Sequence, residues 1–546
     1  MKQKILTLLF SILLSCGLHA QKENSRWYFG HNTGMDFMNL TTRTVTMQDG
    51  STASLGGVPS PLVGPISTWE GSFTLCDKDG NFLFASDGMT VYNGVSPTDI
   101  MKNGTGLYGN PSSAQSGVIV PHPGKKDHYF IITTDAQDRG APRPNGSEVF
   151  GICYSEVDLS VTGNGFGTGR GEVIQKNVPM TIGSLDRRYA YEGVAAFAKS
   201  DGSGFWVVNR TRGWFFVWEV TKDGIDPISK YYAIGTDPGI TGIQGNTIQS
   251  NVGLGHTKFS PDGKYIANSA WGVGGSLAGS YLTIADFDTA TGIVSNPATR
   301  FLRVNNGLSG ASAQSYGYIY GIEFSPNAEY LYFTCFQRTN YTSDIWKVRK
   351  ANYSTLTWER VWANHPRRLV NIGLGPDNRM YGICGNSSPA TTWPYLVVFL
   401  NPNEGATEYA FIDNYFTYPN VPAWGLPNFV YSHSNMSDIE LTPPTPCLNK
   451  PVNMSIQISA GTGPDAVTSI EWDFGDGTSI VTETDMNQLV FTQTHAYTQR
   501  DTYTLTITPK KSDGQVITEK VKTVEVKVSR CILPVNHNIS VMGYYD

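Results

Sequence analysis

The stretch LGHTKFSPDGKYIANSA, residues 254–270, decides the fold of the larger part of this chain. Two runs rich in apolar and β-branched residues flank the polar segment SPDGK, a pattern typical of two antiparallel strands joined by a tight turn. Pro261 presets the first backbone torsion of the turn, and Gly263 supplies a positive φ that other residues avoid. The stretch therefore predicts a β-hairpin.

The same pattern returns along residues 26–440, for example in GSFTLCDKDGNFLFASDG and YGIEFSPNAEYLYFTCF. Degenerate repeats of three or four antiparallel strands predict a β-propeller, in which small sheets stack around a ring and bury faces that none buries alone. Six units are clear. A seventh requires SRWYFGHNTGMDFMN near the N-terminus to pair with the strand around GLPNFVYSH near residue 430. We expect six or seven blades, with seven preferred, over residues 21–440.

The composition also favours an all-β protein. The chain has 546 residues, of which 58 are glycine and 16% are charged, too little charge for a disordered chain. The formal net charge of −6 indicates no generally basic surface, so we expect no nucleic-acid partner.

The N-terminus predicts export. Residues 1–20 carry two early lysines, an apolar run and then small residues, which is typical of a signal peptide and too short to span a membrane. Two cleavage sites compete. Cleavage before Gln21 would release a soluble chain, whereas LLSC resembles a bacterial lipobox and would leave Cys16 lipidated. We expect a location in the periplasm, at the outer membrane or on the cell surface.

Six further cysteines show no spacing suited to zinc, and we expect no metal site and no cofactor. Cys153, Cys335 and Cys384 lie in apolar strand-like runs and are expected to be buried thiols. An oxidising compartment would permit a disulfide between Cys447 and Cys531, provided that the flanking segments fold back to bring the two residues together.

The C-terminal part predicts a second, smaller domain. The proline-rich segment LTPPTPC, residues 441–447, is expected to be a linker, and residues 531–546 a tail. Between them, residues 448–530 alternate apolar and polar residues over several short runs, which predicts a small β-sandwich. One of these runs, SIEWDFGDGTSIV at 469–481, raises the question whether its two aspartates hold a metal or only shape a turn.

The run WDFGDGT, followed by HAYTQRDTYTLTIT, resembles the PKD domain, an immunoglobulin-like sandwich common on extracellular proteins. The resemblance implies that Trp472 faces the core and that Asp473, Asp476 and Gly477 shape the turn after the strand. The earlier runs RWYFGHNTGMDF, DGNFLFASDGMTVYN and GLPNF resemble the propeller that precedes PKD domains in exported proteins of the Bacteroidota, many of them associated with gliding motility and type IX secretion. That resemblance implies a location more than an activity.

Few constellations predict chemistry. DKDGN places Asp77, Asp79 and Asn81 as in a calcium loop, but Gly88 stands where the distal Glu belongs, so a hairpin turn is favoured. The histidines form no metal-binding pair, and no catalytic motif is present.

Long aromatic loops are the candidate ligand site. Flat rings suit sugars or protein partners if the loops gather on one face of the disc. The alternative is that each ring packs over the end of a blade. The candidate residues are Trp271, Trp393, Tyr415, Tyr418 and Trp424.

The sequence as a whole therefore favours an exported binding or scaffold protein without catalytic activity, whose partner is an envelope or surface protein or a glycan. Roles in adhesion, envelope assembly or secretion fit this description. The alternative is a propeller-based glycan-active hydrolase or lyase with the PKD-like domain as a spacer, an analogy at the level of the fold.

Overall fold

The computed structural model divides the chain into two compact units, one of residues 20–433 and one containing residues 434–546. No helix among the described residues is long and apolar enough to cross a membrane. The structure describes residues 22–529 except 78, 137–149, 162–169, 183–189, 200–202, 212, 234–251, 273–278, 304–317, 337–342, 366–367, 386–393, 407, 431–439, 443–445, 459–466, 485, 487–489 and 518–520.

The described strands of the first unit fall into seven groups with antiparallel pairing, which we number as blades in chain order. Short 3-10 helices lie among the described residues at Lys22–Asn24, Lys350–Asn352 and Pro402–Glu404. The strands of blades 1 to 4 are Arg26–Phe29, His31–Met47 and Thr52–Ser67; Phe73–Cys76, Phe82–Ser86, Thr90–Tyr92 and Ile100–Thr105; Gly117–Pro121, His128–Thr134, Ile152–Asp158 and Glu172–Pro179; and Val194–Ala198, Phe205–Thr211, Trp214–Thr221, Gly224–Ile225 and Lys230–Ala233.

The strands of blades 5 to 7 are Val252–Leu254, Thr257–Phe259, Tyr265–Gly272, Gly279–Asp288 and Ile293–Arg303; Tyr318–Phe324, Tyr330–Phe336, Ser343–Arg349 and Trp358–His365; and Leu369–Leu374, Met380–Cys384, Leu396–Phe399 and Tyr409–Ile412. The inner strands of successive blades contact one another from blade 1 round to blade 7. The prediction of an all-β propeller is confirmed.

Blade 1 closes the ring against blade 7. The Trp27 side chain is buried and lies 5.0 Å from the Phe37 ring and 6.3 Å from the Tyr381 ring of blade 7, measured between ring centroids. Blade 1 forms by pairing its own three strands, and Thr46 and Met47 join it to the outer strand of blade 7. Blade 1 therefore forms without the predicted pairing of its N-terminal strand with the strand around residue 430.

Turn and core chemistry follow the sequence pattern. In SPDGK, Gly263 has a φ of +69°, and its N–H donates to the Ser260 carbonyl at 2.9 Å. In DKDGN, Asp77 Oδ1 accepts from the backbone N–H groups of Asp79 and Asn81, so this segment is a hairpin turn. Cys153, Cys335 and Cys384 are buried as predicted, and Cys76 is buried as well.

The second unit is a β-sandwich of two sheets around one core. The first sheet consists of Glu440–Thr442, Val452–Gln457 and Val490–His495, and the second of Val481–Glu483, Ser469–Asp473, Thr502–Lys510 and Lys522–Lys527. Because Glu440–Thr442 pairs with Asn453–Ser455, the predicted linker 441–447 begins inside a strand of this sandwich.

The segment SIEWDFGDG is architectural. The Trp472 side chain is fully buried in the sandwich core. Asp473 Oδ1 accepts from the Gly475 N–H at 2.9 Å, and Asp476 Oδ1 accepts from the Thr478 N–H at 3.1 Å. Gly477 has a φ of +80°, which a turn of this shape requires. These carboxylates shape the turn that the resemblance implied.

Cys447 is disulfide-bonded, and the predicted partner Cys531 lies outside the described residues, so this pairing stays a prediction. The backbone around Cys447 does fold back as such a bridge requires. Cys447 forms a parallel β-bridge with Ser529, and the Leu448 N–H donates to the Ser529 carbonyl at 3.0 Å. The two ends of the sandwich therefore lie side by side.

Candidate functional site

One end of the propeller channel is lined by aromatic and cationic side chains, and we call it the channel mouth. Ala114, Leu254 and Arg368 each come shortly before an inner strand, and Tyr318 opens one, so these residues meet where the inner strands begin. Ala114, Leu254, Tyr318 and Tyr320 form one buried cluster, with Trp424 packed against it.

Trp424 joins the two sides of the channel mouth. Its ring stands edge-on to the Tyr320 ring at 5.7 Å, and the Arg368 guanidinium carbon lies 5.9 Å from its centroid. The backbone N–H of Trp424 donates to the backbone carbonyl of Trp69 at 2.8 Å, and the Trp69 side chain is 52% exposed. The backbones of an exposed and a half-buried tryptophan are therefore joined at the mouth, where a guanidinium lies over the second indole.

The segment 421–430, which we call the closing segment, carries Trp424 to this position. The His31 N–H donates to the Val421 carbonyl at 2.9 Å, and the Asn428 N–H donates to the Ser72 carbonyl at 2.8 Å. At Gly425 the backbone passes so close to blade 2 that an added Cβ would lie 2.0 Å from the Glu70 carbonyl oxygen. Only glycine fits there without displacing the segment.

Deeper in the channel, polar side chains connect the inner strands. Gln115 Oε1 accepts from the N–H groups of Val194 and Thr257, at 3.0 and 2.8 Å. Asn428 Nδ2 donates to the carbonyls of Gly117 and Val194, at 2.9 and 2.7 Å. These bonds tie blades 3, 4 and 5 together at the axis. Both side chains are buried, so at this depth the channel is filled.

His256 is part of this polar layer. Its Nδ1 lies 2.9 Å from the Tyr320 carbonyl, and its Nε2 lies 3.2 Å from Asn371 Nδ2. A neutral ring that donates from Nδ1 and accepts at Nε2 satisfies both contacts. Burial, aided by the charge of Lys258, lowers the pKa of His256 to about 3. The imidazole is therefore neutral in the folded protein at ordinary pH.

Acid should destabilise the propeller through His256. Because its pKa in the unfolded chain is about 6.5, only the unfolded state binds this proton as the pH falls from 6.5 towards 3, and stability is lost over that range. We expect about 3 kcal/mol of loss from this group by pH 4. Urea unfolding at pH 7 and pH 4 measures it. His256→Gln, which cannot titrate, should lose clearly less stability over the same interval; an equal loss would contradict the assignment.

A buried ion pair supports the same layer. Lys258 Nζ lies 3.2 Å from Glu323 Oε2, with side-chain exposures of 5% and 1%. Glu323 also accepts from the Leu374 N–H at 3.3 Å, so its carboxylate joins blades 5, 6 and 7.

The structure describes three of the five predicted aromatic side chains, Tyr415, Tyr418 and Trp424, and their surroundings differ. Tyr415 is buried and donates its hydroxyl to the Pro59 carbonyl at 2.6 Å, whereas Tyr418 is 65% exposed. Trp271 lies in a strand of blade 5, and Trp393 lies outside the described residues. Of the candidates whose side chains are described, Trp424 lies at the channel mouth, and the backbone of Trp271 pairs there with that of Leu254. For Tyr415 the packing alternative is the correct one.

Sequence reasoning missed most of the channel residues. Gln115, Glu192, His256 and Asn371 come from four separate segments, and no spacing connects them. The available signal was a polar residue near the start of each inner strand, as in GLGHTKF. Within the described ranges no group of three His, Cys, Asp or Glu side chains could hold a metal ion.

Comparison with known proteins identifies the second unit. A PKD domain model matches residues 438–524. The resemblance drawn from WDFGDGT is thus confirmed. The search of curated proteins finds no match.

Among solved structures, the chain is similar to an oligogalacturonate lyase from Vibrio parahaemolyticus, at 13% identity over 69% of this chain and 84% of that one, with a TM-score of 0.30. It is also similar to a β-propeller domain from Myceliophteria thermophila, at 10% identity over 76% and 97% of the two chains, with a TM-score of 0.26. A xyloglucanase from Xanthomonas campestris is 11% identical over 83% and 72%, also with a TM-score of 0.26.

The prediction that this chain is not an enzyme is corrected by these comparisons, because the similar structures are mostly enzymes, including the lyase and the xyloglucanase. The identities are only 10–14%, so the likeness concerns the fold and assigns no reaction to this chain.

The strand order and the family match together define the architecture. The inner strands of successive blades contact one another, blade 1 pairs with blade 7, and the sandwich carries the matched sequence. The chain is therefore an all-β protein in which a propeller precedes a PKD domain.

Proposed function

We propose that this chain is an exported bacterial envelope or surface protein whose propeller binds a glycan at the channel mouth. The observation that carries the proposal is the backbone hydrogen bond that joins Trp69, whose side chain is 52% exposed, to Trp424, with the Arg368 guanidinium over the Trp424 ring. Flat aromatic faces stack on sugar rings, and a neighbouring guanidinium adds hydrogen-bond donors. The proposal concerns binding and assigns no reaction.

The rigid setting of Trp69 supports this role. Its N–H donates to the Pro111 carbonyl at 3.2 Å, while its own carbonyl accepts from Trp424, so the backbone is held on both sides. A residue whose backbone is already held loses less entropy when a ligand stacks on its side chain. The PKD domain would serve as a spacer, and the resemblance to Bacteroidota proteins associated with gliding and type IX secretion favours an envelope location.

Loss of Trp69 should weaken glycan binding without unfolding the protein. With oligosaccharides released from bacterial envelopes as the probe, we expect Trp69→Ala to lower affinity about tenfold or more, because a stacking anchor contributes on the order of 1–2 kcal/mol. Calorimetric titration or a glycan array measures this. Trp214→Ala is the matched control, since Trp214 is a 38% exposed indole on blade 4. Equal affinities of the Trp69→Ala and Trp214→Ala variants for the oligosaccharides would refute the proposal. A wild-type protein that binds an envelope protein and no oligosaccharide would also refute it.

The location has its own test. The two cleavage predictions differ at Cys16, which lies outside the described residues. Labelling of cells with radioactive palmitate should mark the wild-type chain and not Cys16→Ala if the lipobox is used. Release of unlabelled wild-type chain into the periplasm or the medium would show instead that cleavage occurs before Gln21. Retention in the cytoplasm would overturn the proposed export.

A further inference from the structure

Arg210 is a buried cation on the second strand of blade 4. Its residue exposure is 5%, and its Nη1 donates to Asn268 Oδ1 of blade 5 at 2.8 Å. The rings of Tyr191 and Tyr281 flank it, with their centroids 5.9 and 5.8 Å from the guanidinium carbon. The side chain therefore lies between two aromatic rings at the junction of two blades.

The charge of Arg210 is not balanced by a carboxylate in the described part of the chain. The groups that act on the guanidinium electrostatically are the phenols of Tyr191 and Tyr281, which are neutral at pH 7. Its Nε is enclosed and finds no hydrogen-bond partner among the described residues. Burial lowers the pKa of Arg210, yet a guanidinium remains charged at ordinary pH.

Two other cationic side chains in this propeller are each paired with a carboxylate. Buried Lys258 is paired with Glu323, and exposed Arg349 is paired with Glu329 at 3.1 Å. Taking an arginine out of water without a counter-charge is costly, and cation–π contacts with two rings offset only part of that cost. A guanidinium flanked by two rings, whose Nη1 is bonded to Asn268 and whose Nε has no partner among the described residues, is suited to an oxyanion.

We propose that Arg210 is the anchor of an oxyanion site, which binds a carboxylate, sulfate or phosphate group of a ligand. Tyr191 and Tyr281 flank the guanidinium, and Asn268 accepts from one of its amino groups. The site adjoins the channel mouth, because Glu192, the neighbour of Tyr191, accepts from the Ala114 N–H at 2.8 Å. The site does not depend on glycan stacking at Trp69, and its test uses different probes and variants.

The test measures thermal unfolding of the full chain against sodium sulfate, phosphate and acetate, each compared with sodium chloride at equal ionic strength. We expect a saturable rise of the propeller transition with at least one oxyanion, because a ligand that binds only the folded state stabilises it. General salt effects on stability continue to grow with concentration and do not saturate in the millimolar range. The anion that saturates first identifies the chemical group.

Variants separate the site from a structural role for the arginine. Arg210→Met should abolish the saturable rise and, in chloride, should raise the midpoint, because it removes a buried charge that lacks a counter-ion. Arg210→Lys should keep a positive charge but weaken the anion effect on the order of tenfold, since an ammonium cannot form the bidentate fork. Arg360→Met is the matched control. Arg360 lies over the Trp346 ring at 5.6 Å but is half-exposed and close to Asp344.

Two results would overturn the proposal. One is a wild-type protein that shows no saturable response to any of the three anions. The other is an Arg210→Met protein that responds to the anion as the wild type does. An Arg210→Met protein that is simply less stable, together with an unresponsive wild type, would show that the cation serves only to hold the two rings.

Discussion

Replacement of Glu323 by glutamine is expected to destabilise the propeller by about 3–5 kcal/mol. The change leaves the ammonium of Lys258, only 5% exposed, without its carboxylate, and a buried charge that loses its partner costs far more than the pair contributes. It also weakens the acceptor of the Leu374 N–H, which ties blade 6 to blade 7. The midpoint of urea unfolding, followed by tryptophan fluorescence, measures the effect.

Two controls define this result. Glu329→Gln removes an ion pair from the same blade, where Arg349 is 58% exposed, and should cost no more than about 1 kcal/mol. The double variant Lys258→Met with Glu323→Gln should recover much of the lost stability, because it no longer buries a charge. If Glu323→Gln costs no more than Glu329→Gln, the buried pair does not hold the blades together.

Replacement of Trp472 by alanine is expected to destabilise the PKD domain by about 3–5 kcal/mol. The indole is fully buried between the two sheets, on a strand that pairs with both Val481 and Ile507, so truncation leaves a large cavity in a small core. Hydrogen exchange of peptides from Thr502–Lys510 reports on this domain alone, and we expect their protection to fall sharply.

Trp472→Phe is the matched control for that cavity. The indole Nε1 has no hydrogen-bond partner among the described residues, so a phenyl ring loses volume but no bond. We expect Trp472→Phe to lower the free energy of unfolding clearly less than Trp472→Ala does, in proportion to the smaller cavity that it leaves. Equal losses for the two variants would mean that the indole itself, and not the filled space, stabilises the sandwich.

The sequence by itself determined the local structure. Turns such as SPDGK and FGDG depend on residues that are neighbours in the chain, because Gly263 and Gly477 need only their own φ, and Asp77 and Asp476 bond to backbone a few residues away. Burial of Trp472 was implied by the likeness of WDFGDGT to the PKD motif, which is also a short-range feature of the sequence. The propeller and the sandwich were therefore predictable from short-range pattern alone.

The tertiary structure decided the candidate site. His256 and Asn371, or Arg210 and Tyr281, are far apart in sequence and meet only because the ring brings the ends of different blades to one axis. Tyr415 was predicted as a candidate ligand contact but is buried in the structure. The sequence could not decide between these outcomes, because an aromatic side chain in a loop can be buried or exposed to solvent. The identity of a residue determines the chemistry of its side chain. Closure of the propeller ring determines which other side chains surround it and whether solvent reaches it.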